Sequence, residues 1–347
     1  MKAQDNKCPA CSASIAFNPK NQTWDCAYCG SKFTLEEMQK YENASSKKNN
    51  VKVSGEKLEG FDSYHCQNCG AEVMADETTT ATFCVYCGST TILKEKIMDG
   101  VAPAKVLPFK KTKEEAITAF QNLSKGRPLM PKLFNDPKNI EKISGVYIPF
   151  WSFNMNVAGN IDFHCTDVTS WISGDYRYTK TDQWLCKRSC NLNYNSILAD
   201  GSSRFADDLM DSLEPFQLEE LEDYNHAYLS GFLAEKYDLE SADVSSRAST
   251  RAMNTSVSEV RKTVLHGITS AANNTLKVKE KGVSYYLLPV WMVNIKYKDK
   301  NYTFAMNGQT GKMIGNIPIE VSKVILFTIL FFVLFFVVIF LLLEVLS

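Results

Sequence analysis

The chain has 347 residues, 45% of them hydrophobic, which is long and apolar enough for roughly two or three folded domains. Its formal net charge of −1 excludes a whole-molecule electrostatic bias toward a polyanion such as DNA or RNA. Eleven cysteines is an odd count, and eight of them fall in C-x-x-C pairs, a pattern of metal ligation in a reducing compartment rather than of a disulfide framework.

Residues 1–35 hold the first cysteine set. The opening stretch, MKAQDNKCPACS, has no apolar run, so no cleaved secretory signal is expected. Cys8, Cys11, Cys26 and Cys29 are spaced C-x2-C-x14-C-x2-C, and Cys66, Cys69, Cys84 and Cys87 in residues 63–98 repeat that spacing 58 positions later. The segments CAYCGS and CVYCGS are nearly identical, and Leu35 corresponds to Leu93. Four thiolates suit a tetrahedral zinc ion, with iron a minor alternative for the same ligands. Each C-x-x-C pair can curl around one side of a metal. Gly30 and Gly88 can take the left-handed conformation that turns backbone amides toward the sulfurs. The residues between the pairs suffice for a short returning hairpin. The expectation is two zinc ribbons, and because four protein ligands fill the shell, both sites are structural.

Nucleic-acid recognition by these ribbons is disfavoured. Residues 1–100 carry 11 Lys and no Arg against 13 Asp/Glu, and phosphate affinity comes mainly from Lys and Arg. Stacking residues are few: Trp24, Tyr28, Phe83 and Tyr86, with those beside the cysteines expected to pack on their own ribbon. Between the two sets, residues 36–62 are polar and read as a linker, or as a mobile helix followed by coil.

Residues 99–318 are expected to form an α+β domain. In TKEEAITAFQNLSKGRP, Thr112 is an N-cap with Glu115 closing a capping box, and Gly126 suits the position just past the helix. The blocks GVYIPFWSFNMNVAGNIDFHC and VSYYLLPVWMVNIKYKDKNYTFAMNGQTGKMIG read as strands, each with an aromatic approach to Pro and then Trp: Tyr147–Trp151 and Leu287–Trp291. Residues 200–267 read mainly as helices, ending near Lys262–His266 with Gly267 as a stop. Residues 200–243 hold 13 acids against 2 bases, and 244–312 hold 11 bases against 3 acids. Solvated helix faces that neutralise each other, or an acidic docking face, both fit this imbalance.

Catalytic signals are weak. NGQTGK lacks the G-x4-G-K-[ST] spacing, and Met313 stands where a Mg2+-binding hydroxyl belongs, so Asn307-Gly308 reads as a hairpin turn. Cys165, Cys186 and Cys190, with His164, are either small core residues or a third metal site; C-x3-C is unusual for zinc. His226 and His266 sit in stretches read as helical, where surface or capping roles are the default. No catalytic residue is assigned. The C-terminal segment 319–347 contains VILFTILFFVLFFVVIFLLL, Val324–Leu343, without a charge. A helix of that length rises about 30 Å, the thickness of a bilayer's hydrocarbon core. Lys323 on the near side and Glu344 on the far side place the preceding mass in the cytoplasm, as a tail-anchored protein of the cell membrane. Its Phe327/Phe331/Phe335 and Phe332/Phe336/Phe340 rows face lipid or another membrane helix.

The two CxxC…CxYCG ribbons, the Pro-Trp blocks and the terminal span together resemble the YdjG-type bacterial zinc-ribbon membrane proteins, a class sometimes mislabelled primosomal-helicase-like. The likeness covers nearly the whole chain. It implies a non-enzymatic membrane adapter that helps to recruit a flotillin-like SPFH protein, phage-shock protein A and a second small membrane protein during envelope stress. A membrane-tethered nucleic-acid binder and an enzyme with a site in 99–318 are the competing readings.

Overall fold

The computed structural model describes residues 8–11, 13, 15–46, 62–66, 72–75, 92–96, 103–298 and 300–346. The first cysteine segment forms β1 (Ala16–Asn18), β2 (Thr23–Asp25) and β3 (Lys32–Phe33), an antiparallel sheet in the order β1-β2-β3, followed by α1 (Leu35–Ser46). The linker expectation is thereby met in part by a helix; residues 47–61 lie outside the described residues. The second cysteine segment contributes β4 (Asp62–Cys66), β5 (Glu72–Ala75) and β6 (Ile92–Lys96), with β4 pairing antiparallel to both of the others.

Beyond these come β7 (Lys105–Val106), α2 (Lys113–Ser124), α3 (Pro137–Ile140), β8 (Ser144–Ser173), β9 (Tyr176–Asp200), α4 (Asp207–Ser212), β10 (Glu222–Asp223) and β11 (Leu233–Glu235). The chain then forms α5 (Ser241–Lys262), β12 (Ile268–Asn274), β13 (Lys277–Tyr297), β14 (Lys300–Asn307), β15 (Met313–Gly315) and α6 (Val321–Leu346). The class is mixed α+β. Its compact units do not follow the 99–318 segment: one comprises Met1–Ile148, Arg204–Lys236 and Leu287–Ser347, the other Pro149–Ser203 and Tyr237–Tyr286. Strands explain the division. β8 and β13 run 30 and 21 residues, several times the usual ~5–6, and each passes from one unit into the other.

In the first unit the core is aromatic. Phe109 stacks on Phe232 at 4.2 Å and 7°, with Tyr147 and Trp291 edge-on at 5.0 and 5.2 Å. Tyr147 and Trp291 come from the two Pro-Trp blocks, both of which are buried strands. The Trp291 indole N–H donates to the Lys111 carbonyl at 2.9 Å. Thr112 caps α2 as its sequence requires: its hydroxyl accepts from the Glu115 amide, and the Glu115 carboxylate accepts from the Thr112 amide at 2.8 Å. Gly126 follows with φ +76°. Asn307 turns β14 into β15, its Oδ1 accepting from the Gln309 and Thr310 amides at 2.9 Å each. The left-handed residue of that turn is Gly311 (φ +82°); Gly308 is needed because a Cβ there would meet Phe109 at 2.6 Å.

In the second unit β8 and β9 form one hairpin, closed by Gly174 and Asp175 between Ser173 and Tyr176. Helix α5 packs on β9 through Val244, Ala248, Ala252, Ser256 and Val260, a stripe of mainly small residues at i+4 spacing that permits close approach. The Trp151 indole donates to the Leu239 carbonyl at 2.8 Å.

The helical reading of 200–267 is corrected. Besides α4, α5 and single 3-10 turns, this stretch holds the short strands β10 and β11 and irregular chain between them, because Pro215 breaks the run and Asn225 caps a short turn at Ala227. His226 opens that 3-10 turn, and His266 lies past the end of α5. Gly267 is not the helix stop; a Cβ there would strike the Thr166 carbonyl at 2.7 Å. Two acids of the acidic run are buried rather than solvated: Glu235 pairs with Arg204 at 2.9 Å, and Asp200 with Arg247 at 2.5 Å. Others pair across the surface, Glu220 with Lys110 and Asp223 with Lys105.

The Thr112→Ala substitution removes the cap of α2 and should lower the unfolding free energy by about 1 kcal/mol. Denaturant titration of the purified chain measures it, and Thr112→Ser should retain most of the stability.

Candidate metal centre

The Sγ atoms of Cys8, Cys11, Cys26 and Cys29 all lie within 4.8 Å of one another. Cys8–Cys29 and Cys11–Cys26 separations are both 3.6 Å. Zinc–sulfur bonds of about 2.3 Å in a tetrahedron set sulfur separations of about 3.8 Å, whereas a disulfide needs about 2.05 Å. The quartet therefore has the size of a metal cage.

Local backbone builds it. The Cys8 amide donates to Ala13, the Cys26 amide to Ser31, and the Gly30 amide to Cys26, at 2.7, 2.9 and 2.9 Å, so each pair sits on a tight knuckle. Gly30 has φ +74°, as its place after the second pair requires. Between the pairs, β1 and β2 form the returning hairpin, with Phe17 opposite Trp24. The thiols are unequal. The hydroxyl and amide of Ser31 pull Cys29 down to about 6. At Cys11 the Ala13 amide acts in the same direction, but burial and the neighbouring thiols outweigh it and push the group up to about 12. Cys29 is the exposed member of the set.

Trp24 does not pack on its own ribbon alone. It is 1% exposed, its indole donates to the Ala227 carbonyl at 2.7 Å, and its ring meets Phe17 and Tyr228 at 4.9 and 5.2 Å. The Phe17 amide donates to Ser230 at 3.1 Å, and Gln22 Nε2 to the Phe109 carbonyl at 2.8 Å. The metal loop is therefore clamped to the body of its unit through the strands behind it, leaving Tyr28, 84% exposed, on the open side. Sequence reasoning missed this clamp; its signal was a Trp and a Phe facing each other across a hairpin too small to bury them.

Of the second quartet, Cys66 is buried at the end of β4, and Cys69, Cys84 and Cys87 lie outside the described residues. Strand β5 pairs antiparallel with β11, Met74 opposite Ala234 and Val73 opposite Glu235, so this segment is tied to the same unit by a ladder.

Cys165 and Cys186 are core residues, packed with Ile161, Phe163 and Val260, with Cys190 at the edge. Burial pushes the Cys165 and Cys190 thiols up, away from reactivity. His164 is exposed, and strand alternation sets it on the face opposite Cys165. His266 Nδ1 lies 2.5 Å from Asp167, whose carboxyl this contact holds below the usual carboxylate range, and its ring stacks on Trp184 at 5.0 Å.

At the other end of the chain, α6 contains a 22-residue stretch, Val321–Leu342, apolar enough to cross a membrane and with none of its length buried in the protein. Past Ser322 in its first turn, its one hydroxyl, on Thr328, donates back to the Val324 carbonyl at 2.8 Å, which satisfies it without water. Lys323 at its start donates to the Met130 carbonyl at 2.5 Å.

Among proteins of known sequence, the chain is similar to the uncharacterized protein YdjG of Bacillus subtilis (strain 168), 38% identical over 320 residues that span 92% of this chain and 91% of that one. No family model matches it. No solved structure matches it either.

Cys26→Ser should remove the metal held by the first quartet, read as metal per chain after gel filtration. Trp24→Ala should keep that metal but free the loop: a loss of about 3–5 kcal/mol of stability and faster proteolysis within residues 8–46.

Proposed function

The chain belongs to the YdjG family, and from that membership, the four-thiol cage and the apolar helix we propose that it is a membrane-anchored zinc-ribbon adapter, without a catalytic centre of its own, that holds partner proteins at a bilayer. The observation that carries the reading is the cage itself. Four thiolates complete a tetrahedral shell, so the metal has no open position for a substrate and serves to stiffen the knuckles around it. Soft ligands select zinc, and the second quartet, Cys66, Cys69, Cys84 and Cys87, holds a second ion at the same spacing. Helix α6 crosses the cell membrane with the ribbons on the cytoplasmic side, where thiols stay reduced. Anchoring confines the ribbons near the membrane and raises their effective concentration toward partners bound there. The family resemblance names those partners as an SPFH protein of the flotillin kind, phage-shock protein A and a second small membrane protein. The −2 balance of Lys against Asp/Glu over residues 1–100 supports protein rather than nucleic acid as what the ribbons meet.

Two measurements test this. Elemental analysis of the full chain should find two zinc ions, and Cys84→Ser should leave one; a single zinc in the unaltered chain would show that one quartet is degenerate. Affinity capture from native membranes should bring down an SPFH or phage-shock protein, and its absence over control with intact metal would sink the adapter reading.

A further inference from the structure

The β8–β9 hairpin outruns everything that covers it. Near its middle, Phe163, Cys165 and Cys186 lie under α5, and β12 runs along β8 as far as Cys165, opposite Ile268. The last contacts are made by His266 on Asp167 and Trp184, and by the Thr166 amide on the Gly267 carbonyl at 2.7 Å. From Val168 to Thr181 every residue is exposed. A two-stranded ribbon bare on both faces should be polar throughout. This one carries Val168, Trp171, Ile172, Tyr176 and Tyr178, with Ile172 and Tyr176 70% and 72% exposed.

Strand alternation places them. Trp171 faces Tyr178 across the ladder, their rings stacked at 5.7 Å, and Tyr176 shares that face next to the turn. Ile172, opposite Arg177, and Val168 project from the other face. Cross-strand stacking stabilises the ribbon and accounts for the Trp171–Tyr178 pair. It does not account for Tyr176, Ile172 or Val168. Because apolar groups occupy both faces, a partner lying flat on one face would leave the other in water. A medium that surrounds the tip covers both.

We propose that the tip of this hairpin, residues 171–178, inserts into the headgroup region of the bilayer as a second, shallow membrane contact; the proposal rests on the reading of α6 as a membrane anchor. Trp and Tyr have an apolar body and a polar atom, the combination that settles at a membrane–water interface. Arg177 supplies a cation for lipid phosphate beside Asp175, the one acid between 171 and 178, while Lys180 is paired with Asp182 at 2.9 Å. Length fits the same depth: from Trp171 to the turn is three residues, about 10 Å at 3.3 Å each, matching the 5–10 Å that interfacial elements penetrate. Deeper insertion is opposed by the open edges of the two strands, whose backbone groups need water.

The full chain, reconstituted in phosphatidylcholine–phosphatidylglycerol vesicles with acyl chains brominated near the headgroup, provides the test by tryptophan fluorescence. Helix α6 contains no Trp, and Trp24, Trp151 and Trp291 are buried, so bromine reports on Trp171 and Trp184. Quenching should be present in the unaltered chain, fall sharply in Trp171→Phe, and fall equally in Ile172→Asp/Tyr176→Asp, which keeps Trp171. All three proteins should resist alkaline carbonate extraction. Equal quenching in the unaltered chain and Trp171→Phe, or none in a chain that resists extraction, overturns the proposal. Extraction of the unaltered chain overturns the anchor, and the proposal with it. A Ser173→Cys chain that forms an intermolecular disulfide while bromine fails to quench would assign the tip to a second copy instead.

Discussion

One ring, Phe109, sits where the separate parts of the first unit meet. It stacks on Phe232, takes the edges of Tyr147 and Trp291, and leaves no room for a Cβ on Gly308. Its carbonyl accepts the side-chain amide of Gln22, which belongs to the metal-binding segment. A glycine in the β14–β15 turn and both Pro-Trp blocks thus answer to the same ring, and the loop carrying four thiols is tied to the backbone of the same residue. Interiors are packed at crystal-like density, so a change of volume here cannot be absorbed locally. It would be felt in the ribbon as well as in the sheet.

The thiol cage and the apolar helix are built by different physics. The cage is local: two knuckles, a glycine in the left-handed region and a hairpin, all within 22 residues of chain from Cys8 to Cys29. The helix is set by composition alone. Between them lies a body with an aromatic core of its own. The adapter proposal draws on this arrangement, a rigid module clamped to a folded body being suited to presenting a surface.

What could be read in advance followed the range of the interaction. Thr112 and Glu115 are three residues apart, and the capping box they spell is present. Cys8 through Cys29 converge as their spacing required. The terminal helix needs only length and composition. Trp24 resting on Ala227 involves residues 203 positions apart, and nothing in either neighbourhood announces the other. The helical expectation for 200–267 failed for a related reason. Its acids look like helix-surface residues by composition, but Asp200 and Glu235 are held by arginines in buried pairs that only the tertiary structure creates. The hairpin was half legible: alternation was recognised up to Cys165, and its continuation through exposed aromatics gave no buried face to follow.

The clamp on Trp24 also has a consequence in time. The cage closes over 22 residues, so it is complete as soon as Cys29 has left the ribosome. The carbonyl that receives the Trp24 indole belongs to Ala227, about 200 residues later, and at typical synthesis rates it arrives about 10–40 s afterwards. Until then Phe17 and Trp24 stand uncovered on a module whose other side is already finished. The nascent chain therefore passes through a stage in which these two rings lack the cover that Ala227 and Tyr228 give them in the folded protein.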